Sequence, residues 1–270
     1  MDIELIRDIT TAVIVGSAIL FILAERRWPY ERGRRLEVLR EGFWTDLIWY
    51  TFIQSYVLGL AIAWFIEWLD AATTGRPRIV TDWPIWAQVV FFLVIHDFYI
   101  YWMHRWQHHN KILWRTHEAH HSPRQIDWLS GVRSHSLEIL INGIVEFAPI
   151  VLLGAAPEVA IIKGAISAVW GMFIHSNLDV RLGPLRYVIN GPELHRWHHA
   201  DHEDVYFANY ATKLSVWDYL FGTIYHPGRD KPPVYGLPYR FPRNYFFQHA
   251  VMFRPLRDQD AKLGRPIGDS

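Results

Sequence analysis

Long apolar stretches constrain this chain more than any other feature of its sequence, because about 20 consecutive apolar residues allow a helix to cross a bilayer. Residues 9–24 and 47–66 carry no charge over 16 and 20 positions. Residues 83–103 form a third stretch, in which Asp97 is the only formally charged residue. These stretches predict membrane-spanning helices rather than the half-polar surface helices of a soluble protein.

Two further apolar stretches, residues 139–157 and 159–178, meet at a Gly-Ala-Ala-Pro sequence that predicts a turn. Each stretch holds one charge, Glu146 or Lys163, which antiparallel packing would bring together, and charges inside a membrane normally pair. We therefore predict an all-α, integral-membrane helical bundle of about five spans with a cytoplasmic helical cap. A soluble protein would have to bury five apolar helices in a chain of 270 residues.

Lys and Arg residues are distributed unevenly among the connections, and the richer side of a membrane protein normally faces the cytoplasm. The connections after the first and third predicted spans are rich in these residues, and the other two are poor. The bias predicts an external N-terminus, with residues 104–136 and 179–270 in the cytoplasm. The basic residues of the rich connections are Arg26, Arg27, Arg32, Arg34, Arg35 and Arg40, then Arg105, Lys111, Arg115, Arg124 and Arg133.

Apolar residues become less frequent after Arg181, while Pro and Gly become more frequent, as expected for a cap of short helices and loops. We divide the chain into N-terminal membrane-anchor spans at residues 1–89, a histidine-rich core at 90–225 and a C-terminal cytoplasmic extension at 226–270. Residues 253–270 are polar and are expected to form a loose tail.

The absence of cysteine restricts the chemistry of any site, because it excludes disulfides, thiolate metal ligands and cysteine nucleophiles. A bound metal must therefore be held by nitrogen and oxygen atoms. The formal net charge is zero and no basic stripe is present, so no nucleic-acid partner is expected. The 15 histidines are the prominent polar feature, and most of them occur in tight groups.

Three groups of histidines have helical spacing. His104 and His108 share one helical stripe with Asp97 and Tyr101, because residues three or four positions apart lie on one face. A His-x-x-His-His sequence, which projects three imidazoles to one side of a helix, occurs twice. Its residues are His117, His120 and His121, then His195, His198 and His199. Eight grouped ligands are too many for one metal, so they predict two metals, and imidazole suits iron, zinc, copper and nickel alike.

Further residues are expected near the same site. His175 ends the last predicted span at the depth of His104 and is expected as a ligand, and His135 is expected either as a ligand or as a residue that orients one. Asp97 and Tyr101 are the candidate catalytic residues. Asp97 lies two helical turns before His104 and is expected to orient a metal-bound imidazole, through its second ring nitrogen, or a nearby water. The alternative is that Asp97 pairs with a basic residue and only stabilises the bundle. Four histidines are expected to lie outside the site: His96, His202, His226 and His249.

The order and spacing of these residues resemble the fatty acid hydroxylase/sterol desaturase superfamily over about residues 90–225. The first part of the match is Asp97-Phe98-x-x-Tyr101-Trp102-x-His104-Arg105-x-x-His108, then Leu113-Trp114-x-x-His117-x-x-His120-His121-Ser122. The second part is His175-Ser176-Asn177, His195-x-x-His198-His199, Asn209-Tyr210 and Trp217-Asp218-x-x-Phe221-Gly222-Thr223. Two departures are Ser136, in Arg133-Ser134-His135-Ser136-x-Glu138, where members carry Pro, and Ala211, where Gly is common.

The resemblance implies a membrane enzyme that uses two histidine-bound iron ions and dioxygen to hydroxylate or desaturate lipids. The implied ligands are His104, His108, His117, His120, His121, His175, His195, His198 and His199. A lipid is expected to enter from the bilayer between the spans, beside aromatic residues such as Tyr99, Tyr101 and Trp102. The lipid class stays open among sterol, fatty acyl, ether lipid, sphingoid base and aminolipid, as does hydroxylation versus desaturation.

The chain shows neither a Gly-rich dinucleotide fingerprint nor a cysteine cluster, so a separate electron donor is expected. This donor would be a ferredoxin or a cytochrome with its reductase, and Arg196 is a candidate for its docking surface. Two other functions remain open. One is a di-zinc membrane hydrolase, although hydrolytic sites usually mix carboxylates with His. The other is a non-catalytic membrane carrier of haem or metal, although bis-His haem would use only two of the histidines.

Overall fold

The computed structural model describes residues 2–31, 39–75 and 78–254, and these ranges contain helices and no β-strand. The fold class is therefore all-α, as the sequence predicts. The helices are α1 (Ile3–Arg27), α2 (Ser55–Ala72), α3 (Ile85–His109), α4 (Lys111–His121), α5 (Ser136–Leu152), α6 (Pro157–His175), α7 (Pro192–His198), α8 (Val216–Leu220) and α9 (Tyr245–Ala250). A π-helical segment, Thr45–Gln54, leads directly into α2.

Four helical stretches are long and apolar enough to cross a membrane: Ile3–Arg27, Thr45–Ala72, Ile85–His109 and Pro157–His175. Helix α5 has 17 residues and is the shortest member of the bundle, so the predicted fourth span, residues 139–157, is shorter than the other four. It ends where Gly154 adopts a positive φ of 72°. The first span is longer than predicted, because the Asp2 side chain caps it by accepting a hydrogen bond from Glu4 N.

The outer faces of these helices are apolar, which is expected of a surface that contacts lipid. Only 11% of the most apolar window of α1, and of the Thr45–Ala72 stretch, is buried. Large side chains such as Leu20, Tyr56, Trp64 and Trp86 are more than half exposed. A soluble protein rarely exposes contiguous apolar surface on this scale, so the membrane assignment rests on the packing as well as on the composition.

Helix α1 packs along α6, and α2 packs along α5. Helix α3 contacts α4, α5 and α6, so it lies at the centre of the bundle. At one end of the bundle, Val80, Phe92, Ile150 and Val159 form an apolar cluster beneath the α5–α6 turn. At the other end, α3 and α6 finish in histidines and lead into the short helices of the cap.

The charges predicted to pair within the hairpin do so. Lys163 Nζ on α6 donates to Glu146 Oε1 on α5. The ammonium also lies 3.2 Å from His96 Nδ1 on α3, so three helices contribute to one buried polar cluster. His96 was expected to point away from the stripe of ligands as an interfacial or packed histidine; its side chain is buried, and it lines the cavity described below.

The cap is fixed to the bundle by Arg196, which is fully buried. Its guanidinium donates to Tyr235 Oη at 3.1 Å, to the carbonyl oxygen of Ile126 at 2.8 Å and to Glu31 Oε1 at 3.1 Å. Arg196 therefore cannot form part of a docking surface for an electron donor, because its guanidinium is buried and its charge is paired inside the protein. Of the predicted C-terminal tail, residues 255–270 lie outside the described residues.

Candidate metal centre

Nine of the ten histidines predicted as ligands lie in two adjacent groups. The five-histidine group contains His104, His108, His117, His121 and His198, and the four-histidine group contains His120, His175, His195 and His199. Within each group, one nitrogen from every ring lies within 4.8 Å of the others, and all nine side chains are buried. Each group can therefore hold one metal ion, and together they could hold the two that the sequence predicts.

The His-x-x-His-His sequences divide their residues between the two groups. On α4, His117 and His121 belong to the five-histidine group and His120 belongs to the four-histidine group. In the second sequence the arrangement is reversed, because His195 and His199 belong to the four-histidine group and His198 to the other. The i, i+4 pair of each sequence thus serves one metal position, and the i+3 residue serves its neighbour. The sequence alone suggested that the three imidazoles act as one unit, whereas the structure divides them between the two groups.

In the five-histidine group, one nitrogen of several rings is fixed by a backbone carbonyl. His104 Nδ1 donates to Tyr210 O at 2.7 Å, and His198 Nδ1 donates to Ala208 O at 2.8 Å. His108 Nδ1 donates in the same way to Tyr206 O at 2.9 Å. A neutral imidazole that donates from Nδ1 presents a lone pair at Nε2. The Nε2 atoms of these rings are buried and find no partner within the described part of the chain.

In the four-histidine group, the Nε2 atoms of the four rings converge. His175 Nδ1 donates to Gly171 O at 2.8 Å, so its Nε2 carries a lone pair. That Nε2 lies 3.3 Å from His120 Nε2, 3.0 Å from His195 Nε2 and 3.2 Å from His199 Nε2. His120 is fixed in the same way, through Nδ1 and Arg133 O at 3.1 Å. His120 and His175 therefore both present lone pairs at Nε2, and because facing lone pairs repel, a cation between the rings would stabilise this arrangement.

These distances fit a metal bound by imidazoles. A zinc–imidazole bond is about 2.0–2.1 Å long, so two such nitrogens at right angles are about 3 Å apart. The nitrogen separations of 3.0 to 3.3 Å in the four-histidine group agree with this value. The donor set is entirely imidazole, which suits iron, zinc, copper or nickel and disfavours magnesium or calcium.

Burial keeps the cap histidines neutral and ready to bind metal. It lowers the pKa of the imidazoles well below the ordinary 6.5, and neighbouring imidazoles lower it further. A metal binds the unprotonated form of the ring, and these rings are already unprotonated at neutral pH, so metal binding needs no further deprotonation. The six histidines with lowered pKa values are His117, His120, His121, His195, His198 and His199.

Asp97 does not contact a histidine of either group, so its predicted role as a direct partner of a ligand is wrong. Its carboxylate accepts hydrogen bonds from Thr212 Oγ1 at 2.8 Å, Lys213 N at 3.0 Å, Leu214 N at 2.9 Å and Trp217 Nε1 at 3.0 Å. Helical spacing places Asp97 on the correct face, but the loop at 212–217 lies opposite it. The contribution of Asp97 is to fix the loop that follows the Tyr210 carbonyl.

Asp218 has a similar task that the sequence did not reveal. Its carboxylate accepts hydrogen bonds from Tyr210 N and Ala211 N, each at 2.9 Å, and from Thr223 Oγ1 at 2.7 Å. These bonds fix the segment whose carbonyl oxygens hold His104 and His198. Its place in the motif Trp217-Asp218-x-x-Phe221-Gly222-Thr223 was the available signal.

Tyr101, predicted beside the path of the substrate, is instead fully buried in the protein interior. Its hydroxyl lies 2.8 Å from Thr223 Oγ1, and its ring packs on Tyr210 and Phe221. The structure therefore gives Tyr101 a packing role behind the five-histidine group. Tyr99 is closer to the expected path, because its hydroxyl donates at 3.0 Å to Asn142, which lines the cavity described below.

His135 lies outside both groups, which corrects its assignment as a ligand. Its Nδ1 accepts a hydrogen bond from Leu137 N and caps α5, while its Nε2 lies 3.2 Å from His249 O. Both ring nitrogens are thus occupied by the fold. The surrounding motif reaches the site through other residues, since Arg133 O accepts from His120 and Glu138 Oε1 lies 3.4 Å from His117 Nδ1.

A cavity of about 330 Å³ lies against both groups and extends between α3, α5 and α6. Its histidine end is formed by His104, His117, His120, His175 and His195. Apolar residues line its middle, namely Ile62, Ile100, Met103, Ile139, Phe147 and Ile174. The cavity can accept an apolar segment of a substrate and present it to the metal positions.

Comparisons with known proteins agree with this geometry. A family model described as fatty acid hydroxylase matches residues 89–223. An ornithine lipid hydroxylase, OlsE from Rhizobium tropici, is 31% identical over 249 residues, which cover 89% of this chain and 74% of that protein. Alkylglycerol monooxygenase from Homo sapiens is 32% identical over 171 residues, 63% of this chain and 37% of that protein.

Methylsterol monooxygenase 1 from Rattus norvegicus is also similar, at 31% identity over 167 residues, 57% of this chain and 55% of that protein. The chain thus spans less than two thirds of the length of this protein and of the alkylglycerol monooxygenase. No solved structure matches it. The family match and the OlsE similarity, on a helical bundle with two histidine groups, show that the chain belongs to the fatty acid hydroxylase family and is a membrane-bound lipid oxidoreductase.

Proposed function

We propose that the chain is a non-haem di-iron oxygenase that hydroxylates a C–H bond of a membrane lipid. The observation that carries the proposal is the pair of adjacent histidine groups with converging ring nitrogens, which open onto a largely apolar cavity. The proposed iron ligands are the nine histidines of the two groups. Iron is favoured over zinc because the relatives are named hydroxylase or monooxygenase, and such reactions require a metal that changes oxidation state.

Two iron ions bound there would supply the reduction of dioxygen and the oxidation of the C–H bond. The protein contributes the geometry. Backbone carbonyls fix the imidazole rings before substrate arrives, so the site requires little reorganisation. Burial of all nine histidines excludes bulk water from the reacting atoms. The cavity aligns an apolar segment of the lipid with the inner faces of the rings.

Hydroxylation is the proposed outcome rather than desaturation. A membrane aminolipid is the first substrate to test, since the relative that covers most of the chain is named for ornithine lipid. Alkylglycerols and methylsterols, for which other relatives are named, are the next classes. We propose that the site faces the cytoplasm, as the Lys and Arg distribution predicts, and receives electrons from a separate ferredoxin or cytochrome.

Mass spectrometry of lipids made under ¹⁸O₂ tests this proposal. Cells that express the chain should contain a lipid that gains one ¹⁸O atom relative to cells that lack it. The His198→Ala variant should not make this product, because it removes a ligand of the five-histidine group. The matched control is His202→Ala, which changes a nearby histidine outside both groups and should leave the product unchanged.

The alternative functions predict other results. A zinc hydrolase would insert oxygen from water and cleave its substrate, so label from H₂¹⁸O and a smaller product would replace the proposed one. A metal carrier would leave the lipids unchanged. Loss of two hydrogen atoms without gain of oxygen would show desaturation and would overturn the hydroxylation part alone.

A further inference from the structure

The end of the cavity farthest from the cap contains polar groups that an alkyl chain would not need. His96 and Glu146 line this end, together with Ser167 and Trp170. Lys163, directly behind them, pairs with Glu146. We call these five residues the inner polar cluster. It lies within the helical bundle, where a charged or hydrogen-bonding group is normally retained for a purpose.

Three helices bring the inner polar cluster and the histidine groups to one cavity. On α6, Lys163, Ser167, Trp170 and Ile174 follow one another at intervals of four, three and four residues, so they share one face. His175 ends the same helix in the four-histidine group. A single lipid segment lying along this face would therefore contact the cluster at one end and the metal positions at the other.

Three hydrogen-bond donors of the cluster find no acceptor among the residues that the structure describes. Lys163 Nζ can only donate, so His96 Nδ1, 3.2 Å away, must accept, and the ring proton is on Nε2. His96 Nε2 is buried and unpartnered among the described residues, as are Ser167 Oγ and Trp170 Nε1. Buried polar groups are normally hydrogen-bonded, so three unpaired donors beside one cavity indicate a ligand that supplies the acceptor.

The charges of the cluster identify the type of acceptor. Lys163 is paired with Glu146, and Lys213, which also lines the cavity, lies 4.0 Å from Asp97 Oδ1. The two positive charges are therefore balanced by two carboxylates, and no net positive charge remains for a phosphate or a carboxylate ligand. A neutral oxygen with lone pairs, such as an ester, amide or ketone carbonyl or an ether, satisfies the donors without an unbalanced buried charge.

We propose that the inner polar cluster binds a neutral acceptor oxygen within the lipid substrate and thereby sets which carbon reaches the metals. This proposal rests on the proposed function and adds a positional rule to it. His96 and His104 are eight residues apart on α3, so the anchored oxygen and the metal positions are separated by about 12 Å along the helix axis. Moving the oxygen along the lipid should therefore move the hydroxylated carbon in step.

Binding to metal-free protein tests the cluster without requiring activity. The probes are a long-chain ketone and the alkane of equal length, and the readout is the shift in unfolding temperature of detergent-solubilised protein. We expect the ketone to stabilise the wild type more than the alkane does. The Trp170→Phe and Ser167→Ala variants remove donors and should lose this preference, while Trp86→Phe, which alters an exposed Trp, should keep it.

The stability of the ligand-free variants separates binding from a structural role. Because the Trp170 and Ser167 donors have no partner in the described part of the chain, Trp170→Phe and Ser167→Ala should not lower the unfolding temperature. Equal stabilisation by ketone and alkane in the wild type, or a preference retained in both variants, would overturn the proposal. In metal-loaded enzyme, hydroxylation at a carbon that does not follow the oxygen would also overturn it, whereas no hydroxylation of any lipid would refute the proposed function instead.

Discussion

Asp97 Oδ2 accepts a hydrogen bond of 3.0 Å from Trp217 Nε1, so a carboxylate in the central membrane helix is bound to the helical cap. The same side chain accepts bonds from two backbone amides and a hydroxyl of residues 212–214. Its acceptor atoms are thus fully used by one loop. This loop continues from the segment whose carbonyls orient His104 and His198.

Replacement of Asp97 by Asn should destabilise the protein and weaken metal binding. An amide has one acceptor oxygen and one donor nitrogen, so in either orientation two of the four donors lose their partner. Each unsatisfied buried donor costs about 1–3 kcal/mol, so the loss of unfolding free energy should be about 2–6 kcal/mol. Thermal unfolding and metal content of purified Asp97→Asn give the result, with Trp217→Phe as the control that removes one donor. Unchanged values for both would show that the loop does not depend on this carboxylate.

Metal stoichiometry should separate the two histidine groups. Iron-loaded wild type is expected to contain about two metals per chain, one for each group. The His120→Ala variant should lose mainly the metal of the four-histidine group, and His198→Ala that of the five-histidine group. Both should lose activity. Elemental analysis of variant proteins, with His202→Ala as control, provides the measurement, and full activity in either ligand variant would refute the assignment.

Stability of the metal-free protein should depend on pH through the buried histidines. Burial lowers the pKa of His121 well below 6.5, its ordinary value. Below pH 6.5 the unfolded chain therefore binds a proton that the folded chain does not, and the free energy of unfolding falls as the pH falls. The His121→Asn variant lacks this imidazole, so its free energy of unfolding should change less steeply with pH, by up to about 1.4 kcal/mol per pH unit.

The comparison between wild type and His121→Asn is needed because other groups act in the opposite direction. Burial raises the pKa of Asp218 to about 6 from 3.8, so between these values the folded chain binds the extra proton and gains stability as the pH falls. Denaturation of both proteins between pH 7.5 and 5.5 isolates the histidine contribution. Parallel curves would indicate that His121 titrates normally.

Gly131 should be essential to the four-histidine group. A Cβ atom at this position would lie 2.4 Å from His175 Nδ1, so alanine would displace the ring and break its bond to Gly171 O. We expect Gly131→Ala to lose one metal while the bundle still folds. Gly164→Ala on α6 is the matched control, because its Cβ would meet no atom within 4 Å. Retention of both metals by Gly131→Ala would show that the ring position is adaptable.

The orientation of the bundle is open to a direct test. If the cap faces the cytoplasm, a reporter enzyme that works only inside the cell should be active when it is fused after Ser270. A second reporter that works only outside the membrane provides the converse measurement. Activity of the external reporter at this position would reverse the topology derived from Lys and Arg.

Sequence alone identified eight of the nine clustered histidines through helical spacing, which determines which side chains share a face, and His175 through its place at the end of a predicted span. It could not show that each His-x-x-His-His sequence serves both groups, since that division depends on how α4 and α7 face each other. Asp97 and Tyr101 illustrate the same restriction. Helical periodicity correctly predicts the face of the helix on which they lie. The residues that contact this face are more than a hundred positions later in the sequence, which periodicity does not reveal.

His135 and the inner polar cluster also differ from the sequence prediction. His135 occupies the residue before α5 and is used as its cap, a role that competes with metal binding and carries no separate signal in the sequence. The inner polar cluster was recognised only as the pair of Glu146 and Lys163. That His96, Ser167 and Trp170 join them at one cavity depends on the rotation of three helices, which the apolar stretches do not specify.

The division of the His-x-x-His-His sequences has a consequence for how the protein matures. Ribosomes make α7 last among the ligand-bearing helices, and both histidine groups need residues from it. Neither group can be complete until about 200 residues have been synthesised and α6 has entered the membrane. Both groups are therefore completed at the same late stage of synthesis, and a chain whose synthesis stops before His195 would hold neither site in finished form.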